Sequence, residues 1–297
     1  MVVGPTASGK TDLAMGLAGD IFEIVSADSV QVYRRLDIGS GKPTKAQRAA
    51  VRHHLIDIVD PDRQFTAGDF CREANASVED ILGRGKLPLF VGGTGLYIDS
   101  LFAGLSGIPR IDPAVSREVR EELDSRGTVE MYERLRRIDP AFAARVHPND
   151  RQRIARGLEV YRGTGRPLSG YFGERAGAGF EETVFIGLCP PRPILYERIE
   201  RRLDRMMEDG FLEEVRSLRA DGYGPALGPM KSLGYRELNL HLDGELSLDE
   251  AVHSAKLETK RYAKRQLTWF RRNGRITWFE DFQVEKIEKL LYTFTMR

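Results

Sequence analysis

The stretch Gly4-Pro5-Thr6-Ala7-Ser8-Gly9-Lys10-Thr11 decides the fold of this chain. Met1-Val2-Val3 before it is apolar enough for a buried strand, and residues 12–18 after it place apolar side chains at helical spacing. A strand, a G-x-x-x-x-G-K-T pattern and a helix in this order form a phosphate-binding loop. The alternative, a plain glycine turn with a surface lysine, is disfavoured by the flanking strand and helix. The stretch therefore predicts a site for a di- or triphosphate and leaves the reaction open.

Each residue type in this loop has a physical role in binding phosphate. The glycines allow a tight turn whose backbone N–H groups converge on phosphate oxygens. The helix that follows adds the positive end of its dipole. Lys10 can reach the outer phosphates, and the hydroxyl of Thr11 can bind Mg²⁺. We therefore assign residues 4–11 to diphosphate binding and Thr11 to the metal.

Strand-like and helix-like segments alternate after the loop, which predicts a parallel sheet covered by helices on both faces. The predicted strands lie at 22–26, 53–59, 87–91, 182–188 and 276–279. Among the predicted helices are 65–82, with Thr66 as its N-cap, 140–147 and 247–270. From about residue 110 to 175, helical patterns follow one another without a strand. The fold class is therefore α/β, a P-loop NTPase-like core (1–109 and 176–297) with a helical insertion domain (110–175).

Composition and charge are those of an ordinary globular protein. The chain has 297 residues, 41% of them apolar and 30% charged, with a formal net charge of +1. Its two cysteines, Cys71 and Cys189, are far apart, which argues against a disulfide framework or a zinc site and fits a reducing compartment. No apolar run approaches the length of a membrane span. We expect a cytoplasmic protein without membrane association.

Asp28 is the first candidate for chemistry outside the loop. It follows the predicted strand 22–26, and ligands of open α/β sheets bind beyond the carboxyl ends of the strands. A carboxylate near a bound diphosphate can hold Mg²⁺, orient a hydroxyl or accept a proton. Aspartates after strands are also common as caps of turns or helices. The residues alone leave both roles open.

The predicted strand 87–91 lacks a feature of hydrolytic phosphate-loop enzymes. Those enzymes usually end a hydrophobic strand with an aspartate that holds Mg²⁺, whereas this strand runs into Gly92-Gly93-Thr94. Asp57 or Asp60 can substitute only in part, because Pro61 marks Asp60 as a turn residue. A motor or switch ATPase is therefore disfavoured, and a small-molecule kinase stays possible.

Two stretches carry concentrated positive charge. Six arginines lie between residues 145 and 166, and eight basic residues between 256 and 275 oppose only Glu258. Lys256, Lys260 and Lys264 recur every four residues and share one helix face. Aromatic residues lie between these charges, which is typical of a surface that binds a phosphate backbone. A solvated basic helix is the alternative, and charge alone does not separate the two.

These motifs together resemble the tRNA dimethylallyltransferases (tRNA isopentenyltransferases) over nearly the whole chain. The blocks that match, in chain order, are the phosphate loop with its Pro-Thr-Ala, D-S-x-Q-x-Y at 28–33, the segments 37–43 and 53–57, G-G-T-x-L-Y at 92–97, 147–160, 234–236 and 264–271. Eight short blocks in order are far more specific than any one of them. No Cys/His pairs at zinc-finger spacing follow Cys189, so the resemblance is to the bacterial type.

The resemblance implies a reaction and a set of catalytic residues. The family transfers a dimethylallyl group from dimethylallyl diphosphate to the exocyclic N6 amine of the adenosine 3′-adjacent to the anticodon, so the loop holds a leaving diphosphate. Asp28 would be the general base, Thr6 would donate to the bridging oxygen, and Lys10, Thr11 and Mg²⁺ would stabilise the departing charge. The pattern V/I-R-x-x-L fits Val119-Arg120 and indicates Arg120 as a further catalytic residue. An ungapped alignment instead puts Ser116 there, beside Arg117.

The resemblance also implies a tRNA-binding surface that recognises the anticodon stem-loop with the reacting base flipped out. The insertion domain and the two basic stretches belong to it, and we expect a monomer. The residues assigned to tRNA are Asp28, Ser29, Val30, Gln31, Thr94, Arg120, Gln152, Arg153, Arg156, Lys231, Gly234, Tyr235, Arg236, Lys260 and Lys264.

Three other functions use a phosphate loop and stay as alternatives. A small-molecule or nucleotide kinase requires ATP and has no need of arginine-rich surfaces. An adenylate isopentenyltransferase prenylates a free nucleotide and needs neither basic stretch. An RNA-binding protein without activity has no use for a base, which the combination of Asp28, Thr6 and Lys10 argues against.

Overall fold

The computed structural model describes residues 1–102, 104, 107–173, 180, 182–280 and 283–295. The chain forms two compact units. The α/β unit comprises Met1–Leu101 and Phe180–Arg297, and the helical unit comprises Phe102–Gly179. The predicted insertion at 110–175 lies within the range of the helical unit. In the part of the chain that the structure describes, no helix has both the length and the apolar character required to cross a membrane.

A parallel sheet forms the centre of the α/β unit. Its strands are β1 (Val2–Val3), β2 (Phe22–Ala27), β3 (His53–His54), β4 (Leu87–Gly92), β5 (Phe185–Leu188) and β6 (Ile276–Phe279). Their order across the sheet is β3-β2-β4-β1-β5-β6, and every pair of neighbours is parallel. The carboxyl ends of all strands therefore meet at one edge. The phosphate loop leaves β1 at this edge, between the ends of β4 and β5.

Helices connect the strands and build the helical unit. They are α1 (Lys10–Leu17), α2 (Lys45–Ala50), α3 (Ala67–Gly83), α4 (Gly95–Phe102), α5 (Pro113–Arg126), α6 (Thr128–Ile138), α7 (Pro140–Ala143), α8 (Arg151–Thr164), α9 (Arg192–Glu208), α10 (Phe211–Ala220), α11 (Tyr235–Leu242), α12 (Leu248–Phe270) and α13 (Val284–Thr295). Thr66 caps α3 as predicted, in a capping box with Asp69. Ser247 caps α12 in the same way, with Glu250.

Three apolar clusters pack the strands and helices that carry the candidate site residues. One packs β1, β2, β4 and β5 against α1, with Val2 and Ile186 fully buried. A second joins the segment after β2 to α10, α11 and α12 around Phe211 and Tyr235. In the helical unit, α5, α6 and α8 enclose Met131 and Ile154. Each segment near the phosphate loop is thus fixed to a packed core.

Three predicted elements are shorter than expected. The strand predicted at 182–188 begins only at Phe185, and the other two have a local cause. The strand predicted at 53–59 ends after His54, because Leu55 and Asp57 adopt φ angles of 62° and 57° that leave the extended conformation. The helix predicted at 140–147 ends at Ala143, and Pro148 disfavours a helical residue before it. Helices α2, α11 and α13 were not predicted.

Candidate active site at the phosphate loop

The backbone of the phosphate loop presents a group of unpaired N–H donors. Gly9 (φ 92°) and Ala7 (φ 60°) adopt left-handed conformations that turn the chain tightly into α1. Within the described residues, no acceptor is found for the N–H groups of Ala7, Gly9, Lys10, Thr11 and Asp12. Converging N–H groups at a helix N-terminus form a concave site for anions. The loop therefore has the geometry that the sequence predicted.

Two side chains of the loop also lack the partners that burial normally requires. The hydroxyl of Ser8 is buried, and no group of the described residues forms a hydrogen bond with it. Lys10 Nζ donates only to backbone carbonyls, 3.0 Å from Gly4 O and 2.7 Å from Pro5 O. Burial and the positive charge of Arg202 lower the pKa of Lys10 to about 7, against the opposing effect of Asp28. An anionic ligand would satisfy both groups.

Arg202 is a site residue that the sequence reading missed. It lies on α9, and its Nη1 donates to Thr6 Oγ1 at 3.4 Å. Its guanidinium occupies the space where a side chain at Gly41 would project, and Gly41 has a φ of 59°, so both features favour glycine at this position. Burial lowers the pKa of Arg202, although the charges of Asp28 and Asp12 oppose this. Together with Lys10 it brings two cations to the loop, and in the described structure neither forms an ion pair with a carboxylate.

Gln266 on α12 connects the phosphate loop to the end of β4. Its Oε1 accepts from Thr6 N at 2.9 Å, and its Nε2 donates to Gly93 O at 2.9 Å. A Cβ on Gly93 would lie 2.2 Å from this amide, and one on Gly92 would lie 2.2 Å from Ala27 O. These glycines therefore allow close packing of protein on protein. Their role does not require contact with a ligand.

Asp28 follows β2 and is held in a turn. Its Oδ1 accepts from Val30 N at 2.8 Å and from Gln31 N at 3.2 Å. No described residue donates a hydrogen bond to Oδ2. Asp28 can therefore cap the turn and also act on a substrate, since Oδ1 fixes the side chain and Oδ2 is available to a ligand.

The predicted RNA contacts near Asp28 lie together. Ser29 N donates to Thr94 Oγ1 at 3.0 Å, which joins the turn to the end of β4. Ser26 Oγ donates to Gln31 Oε1 at 3.0 Å, and Gln31 Nε2 donates to Gly41 O at 3.2 Å. Tyr262 on α12 faces the same region. Burial and the Asp28 carboxylate raise the pKa of Tyr262 to about 12, so its phenol is neutral at physiological pH.

The loop at 36–43 packs against the turn that contains Asp28, and Gly41 O accepts a hydrogen bond from Gln31 of that turn. Glu214 accepts from the backbone N–H groups of residues 37, 38 and 39 and from the hydroxyl of Tyr235. Lys42 Nζ lies 2.8 Å from Asp37 Oδ1 and 2.6 Å from Asp57 Oδ1. Asp57, which was considered as a magnesium ligand, is thus engaged by Lys42 and Arg48. Asp60 likewise pairs with Arg34 at 3.1 Å.

Some residues assigned to RNA in the α/β unit are exposed and some are not. Lys231 and Arg236 are exposed. Tyr235 is fully buried and donates to Glu214, so the expected RNA contact of its side chain is wrong and its role is structural. Gly234 is buried as well, with its N–H donating to Glu237 at 2.8 Å.

Acidic residues of the neighbouring helix α9 neutralise part of the basic face predicted on α12. Lys260 pairs with Glu200, and Lys256 pairs with Asp204. Lys260 also lies 5.4 Å from the ring centroid of Tyr196. These two lysines are thus neutralised within the protein, whereas Lys264 is exposed. Sequence periodicity places all three on one face and gives no information about the acidic residues opposite.

The candidate residues of the helical unit lie on α5 and α8. Arg120 Nε and Arg156 Nη1 each lie 3.7 Å from an oxygen of the buried Glu159, which draws the two arginines together. Gln152 and Arg153 are exposed on α8. Arg117, the alternative to Arg120, is exposed on α5 as well.

The oxygen donors at the loop suit a hard cation that keeps several waters. The described residues contain no group of three or more His, Cys, Asp or Glu side chains arranged for a metal. Thr11 is the second residue of α1 and lies in its first turn, next to the N–H donors. A single hydroxyl beside a diphosphate fits Mg²⁺, which is commonly bound through substrate phosphates and a few protein oxygens.

Comparison with known proteins agrees with this geometry. The sequence model described as IPP transferase matches residues 31–273. The tRNA dimethylallyltransferase of Syntrophobacter fumaroxidans is 51% identical over 285 residues, which cover 94% of this chain and 82% of that protein. For tRNA dimethylallyltransferase 1 of Syntrophotalea carbinolica the identity is 49%, covering 99% and 95%.

Solved structures extend the similarity to the fold. The tRNA isopentenylpyrophosphate transferase of Bacillus halodurans is 38% identical with a TM-score of 0.72, covering 99% of this chain and 95% of that one. A eukaryotic dimethylallyltransferase acting on tRNA is 31% identical with a TM-score of 0.74, covering 91% and 68%. This chain therefore belongs to the IPP transferase family, among the tRNA dimethylallyltransferases.

Proposed function

We propose that this chain transfers the dimethylallyl group of dimethylallyl diphosphate to the N6 amine of the adenosine 3′-adjacent to the anticodon in tRNA and releases diphosphate. One observation carries this proposal. The unpaired N–H donors of the phosphate loop, with Lys10 and Arg202, lie at the same sheet edge as the Asp28 carboxylate. An anion-binding nest beside a base suits departure of a diphosphate from a carbon while an amine loses a proton.

The bond changes assign a task to each group. The N6–C1 bond forms as the bond from C1 to the bridging oxygen breaks, and the electron pair of that bond leaves with the diphosphate. Lys10, Arg202 and the loop N–H groups stabilise the added negative charge. Arg202 donates to Thr6 Oγ1, so the hydroxyl proton of Thr6 is free to reach the bridging oxygen.

Asp28 takes the proton that N6 loses. The adenine amine is a poor nucleophile because its lone pair is delocalised into the ring, so removing a proton as the bond forms lowers the barrier. Val30 N and Gln31 N hold Oδ1 of Asp28, which leaves Oδ2 for the amine. Arg120 of the helical unit would add a further positive charge to the diphosphate.

Thr11 would hold Mg²⁺ together with the diphosphate oxygens, as the donor set at the loop suggests. The ion would supply additional neutralisation of the leaving group.

The tRNA would be bound by both units. In the α/β unit the contacts are Ser29, Val30, Gln31, Thr94, Lys231 and Arg236, and in the helical unit they are Gln152, Arg153 and Arg156. Flipping the adenosine out of its stack costs a few kcal/mol, which these contacts offset. We further propose a monomer in a reducing cytoplasm, consistent with its two free cysteines.

A mass measurement tests the proposal. The protein is incubated with Mg²⁺, dimethylallyl diphosphate and unmodified tRNA, and the digested nucleosides are weighed. We expect an adenosine heavier by one dimethylallyl group with tRNA and none with AMP. Modification of AMP alone would instead indicate an adenylate isopentenyltransferase. Consumption of ATP without prenylation would indicate a kinase.

A further inference from the structure

Glu214 on α10 is a carboxylate to which the proposed reaction assigns no role. Its Oε2 accepts from Asp37 N at 2.9 Å and from Ile38 N at 2.7 Å, and its Oε1 accepts from Gly39 N at 3.1 Å. Successive N–H groups that converge in this way form a concave site for an anion. The protein's own carboxylate occupies this site, and hydrogen bonds to an ionised acceptor are stronger than those to a neutral one. Glu214 therefore fixes the first half of the loop 36–43.

The hydroxyl of Tyr235 completes the set of donors around this carboxylate. Tyr235 is fully buried on α11, and its Oη donates to Glu214 Oε1 at 2.6 Å. Burial, together with the charge of Glu214, raises the pKa of Tyr235 well above its ordinary value, so the phenol stays protonated as a donor. The rings of Phe211 and Tyr235 also pack on Gly39, where a Cβ would have no room. The first half of the loop is thus held by α10 and α11 together.

The second half of the same loop contacts a group on the side of the leaving diphosphate. Gly41 N donates to Ile38 O at 2.9 Å, which ties Gly41 to a residue that Glu214 holds. Arg202 Nη2 occupies the position that a Cβ on Gly41 would take, so the guanidinium lies against the backbone of Gly41. Arg202 Nη1 in turn donates to Thr6 Oγ1 at 3.4 Å. A displacement of the loop would therefore displace Arg202 at the phosphate loop.

The loop also contacts the turn that holds the proposed base. Gln31 Nε2 donates to Gly41 O at 3.2 Å and to Ser40 O at 3.4 Å. Gln31 N donates to Asp28 Oδ1 at 3.2 Å. Two short chains of contacts therefore begin at this loop. One ends at the hydroxyl of Thr6, and the other ends at the carboxylate of Asp28.

We propose that Glu214 is a positioning residue of the transfer reaction, whose carboxylate fixes residues 37–41 and thereby the positions of Arg202 and Gln31. The inference rests on the proposed function, because it takes Arg202 as a ligand of the diphosphate and Asp28 as the base. A misplacement of about 1 Å that originates far from the reacting atoms can cost about 10²-fold in rate. Glu214 acts through the loop and touches neither the diphosphate nor the adenine.

Glu214→Gln tests this role by exchanging one oxygen for an NH₂ group. The amide oxygen can keep the bonds from residues 37 and 38, whereas the NH₂ group faces Gly39 N, which is also a donor. We expect the dissociation constant for inorganic diphosphate, measured by calorimetry with Mg²⁺ present, to rise roughly tenfold. We also expect single-turnover prenylation with saturating donor and tRNA to slow roughly tenfold.

Glu213→Gln is the matched control from the adjacent position. Glu213 is 69% exposed and pairs with Arg216 on the surface of α10, so this variant should keep the wild-type dissociation constant and rate. Wild-type values for Glu214→Gln, or equal losses in the two variants, overturn the proposal.

A double-mutant cycle distinguishes positioning from a general loss of structure. If Glu214 acts through Arg202, then Glu214→Gln should change the dissociation constant for diphosphate by less than about twofold in the Arg202→Met background. An equal change in both backgrounds would mean that the two residues act independently, and it overturns the proposal.

Tyr235→Phe provides a second variant should Glu214→Gln fail to fold. It removes one donor from Oε1 and leaves the three backbone N–H groups in place. We expect weaker diphosphate binding and slower transfer, each by less than in Glu214→Gln. Wild-type binding and transfer in a folded Tyr235→Phe would overturn the proposal in that case.

The binding of inorganic diphosphate requires no transfer, so the two proposals fail separately. Absence of a prenylated adenosine with the wild-type protein refutes the proposed function, whatever the diphosphate measurements show. Prenylation by wild type, with unchanged diphosphate binding and transfer in Glu214→Gln, refutes the positioning role alone.

Discussion

Lys10 and Lys42 are both drawn into the α/β unit, and their surroundings differ in one respect. The side chain of Lys42 is 2% exposed and contacts two carboxylates, Asp37 and Asp57, together with Tyr33 O. Lys10 contacts only the carbonyls of its own loop and lies near a second cation, Arg202. The first lysine is neutralised by the protein, and the second is not.

This difference separates a charge that holds the fold together from a charge that we propose binds the donor. Taking a charge out of water costs several kcal/mol unless a partner compensates, so a fold keeps an uncompensated lysine only at some cost. At the phosphate loop the compensating charge would come from the diphosphate. At the loop 36–43 the compensating charge is already present in the carboxylates that contact Lys42. These contacts fix the loop, and Gly41 of this loop contacts both Gln31 and Arg202.

The largest effect is expected from Lys10→Met. The substitution removes the positive charge that would stabilise the leaving diphosphate, and it breaks no ion pair within the protein. We expect kcat/KM for dimethylallyl diphosphate to fall about 10³-fold, in the range found for loss of one strong electrostatic contact. Urea denaturation should show no loss of stability. A destabilised but active variant would contradict the functional assignment of Lys10.

Lys42→Met is the matched change at the neutralised lysine. It leaves Asp37 and Asp57 without Lys42, and we expect the free energy of unfolding to fall by about 2 kcal/mol. The loss is smaller than for a fully buried pair, because Asp37 is 56% exposed and Asp57 keeps Arg48. Urea denaturation measures it. Unchanged stability would mean that this cluster does not hold the loop.

The pH dependence of donor binding is expected to show a smaller effect, and it tests directly whether Lys10 lacks a compensating carboxylate. In the free protein the pKa of Lys10 is lowered to about 7, and a bound diphosphate raises it again. Above pH 7 binding must therefore be accompanied by proton uptake, and kcat/KM should fall by up to about tenfold per pH unit to pH 9. Steady-state kinetics from pH 6 to 9 measure this.

The same lowered pKa has a defined sign for stability. Between pH 7 and 10.5 the unfolded chain holds a proton on Lys10 that the folded chain has released, so this residue makes stability rise with pH. Its destabilising effect is complete below pH 7. The variant Lys10→Arg stays protonated and should give a flatter activity profile to pH 9. A wild-type profile that is already flat would contradict the uncompensated state of Lys10.

Residues whose placement depends on local sequence were predictable. The phosphate loop is defined by eight consecutive residues between a strand and a helix, and Asp28 by its place after the next strand. The caps Thr66 and Ser247 follow the same logic, since each is recognised three residues before an acidic partner.

Residues whose function depends on tertiary contacts were not predictable. Arg202 lies in the middle of a helix beside Arg198, Arg201 and Arg205, and nothing local distinguishes it. Gln266 acts through the backbones of Thr6 and Gly93, far away in the chain. The periodic pattern predicts that Lys260 is available to bind RNA, but in the fold it pairs with Glu200 on α9. Tyr235 lies within a matching block and is buried.

Single-turnover transfer by Asp28→Asn tests the central claim most directly. Asparagine keeps an oxygen for Val30 N and Gln31 N, so the turn is retained while the base is lost. With saturating donor and tRNA, we predict that the rate of forming the prenylated adenosine falls by about 10²–10⁴, with tRNA affinity nearly unchanged. A rate equal to that of wild type would contradict the account, because the carboxylate would then not accept the proton.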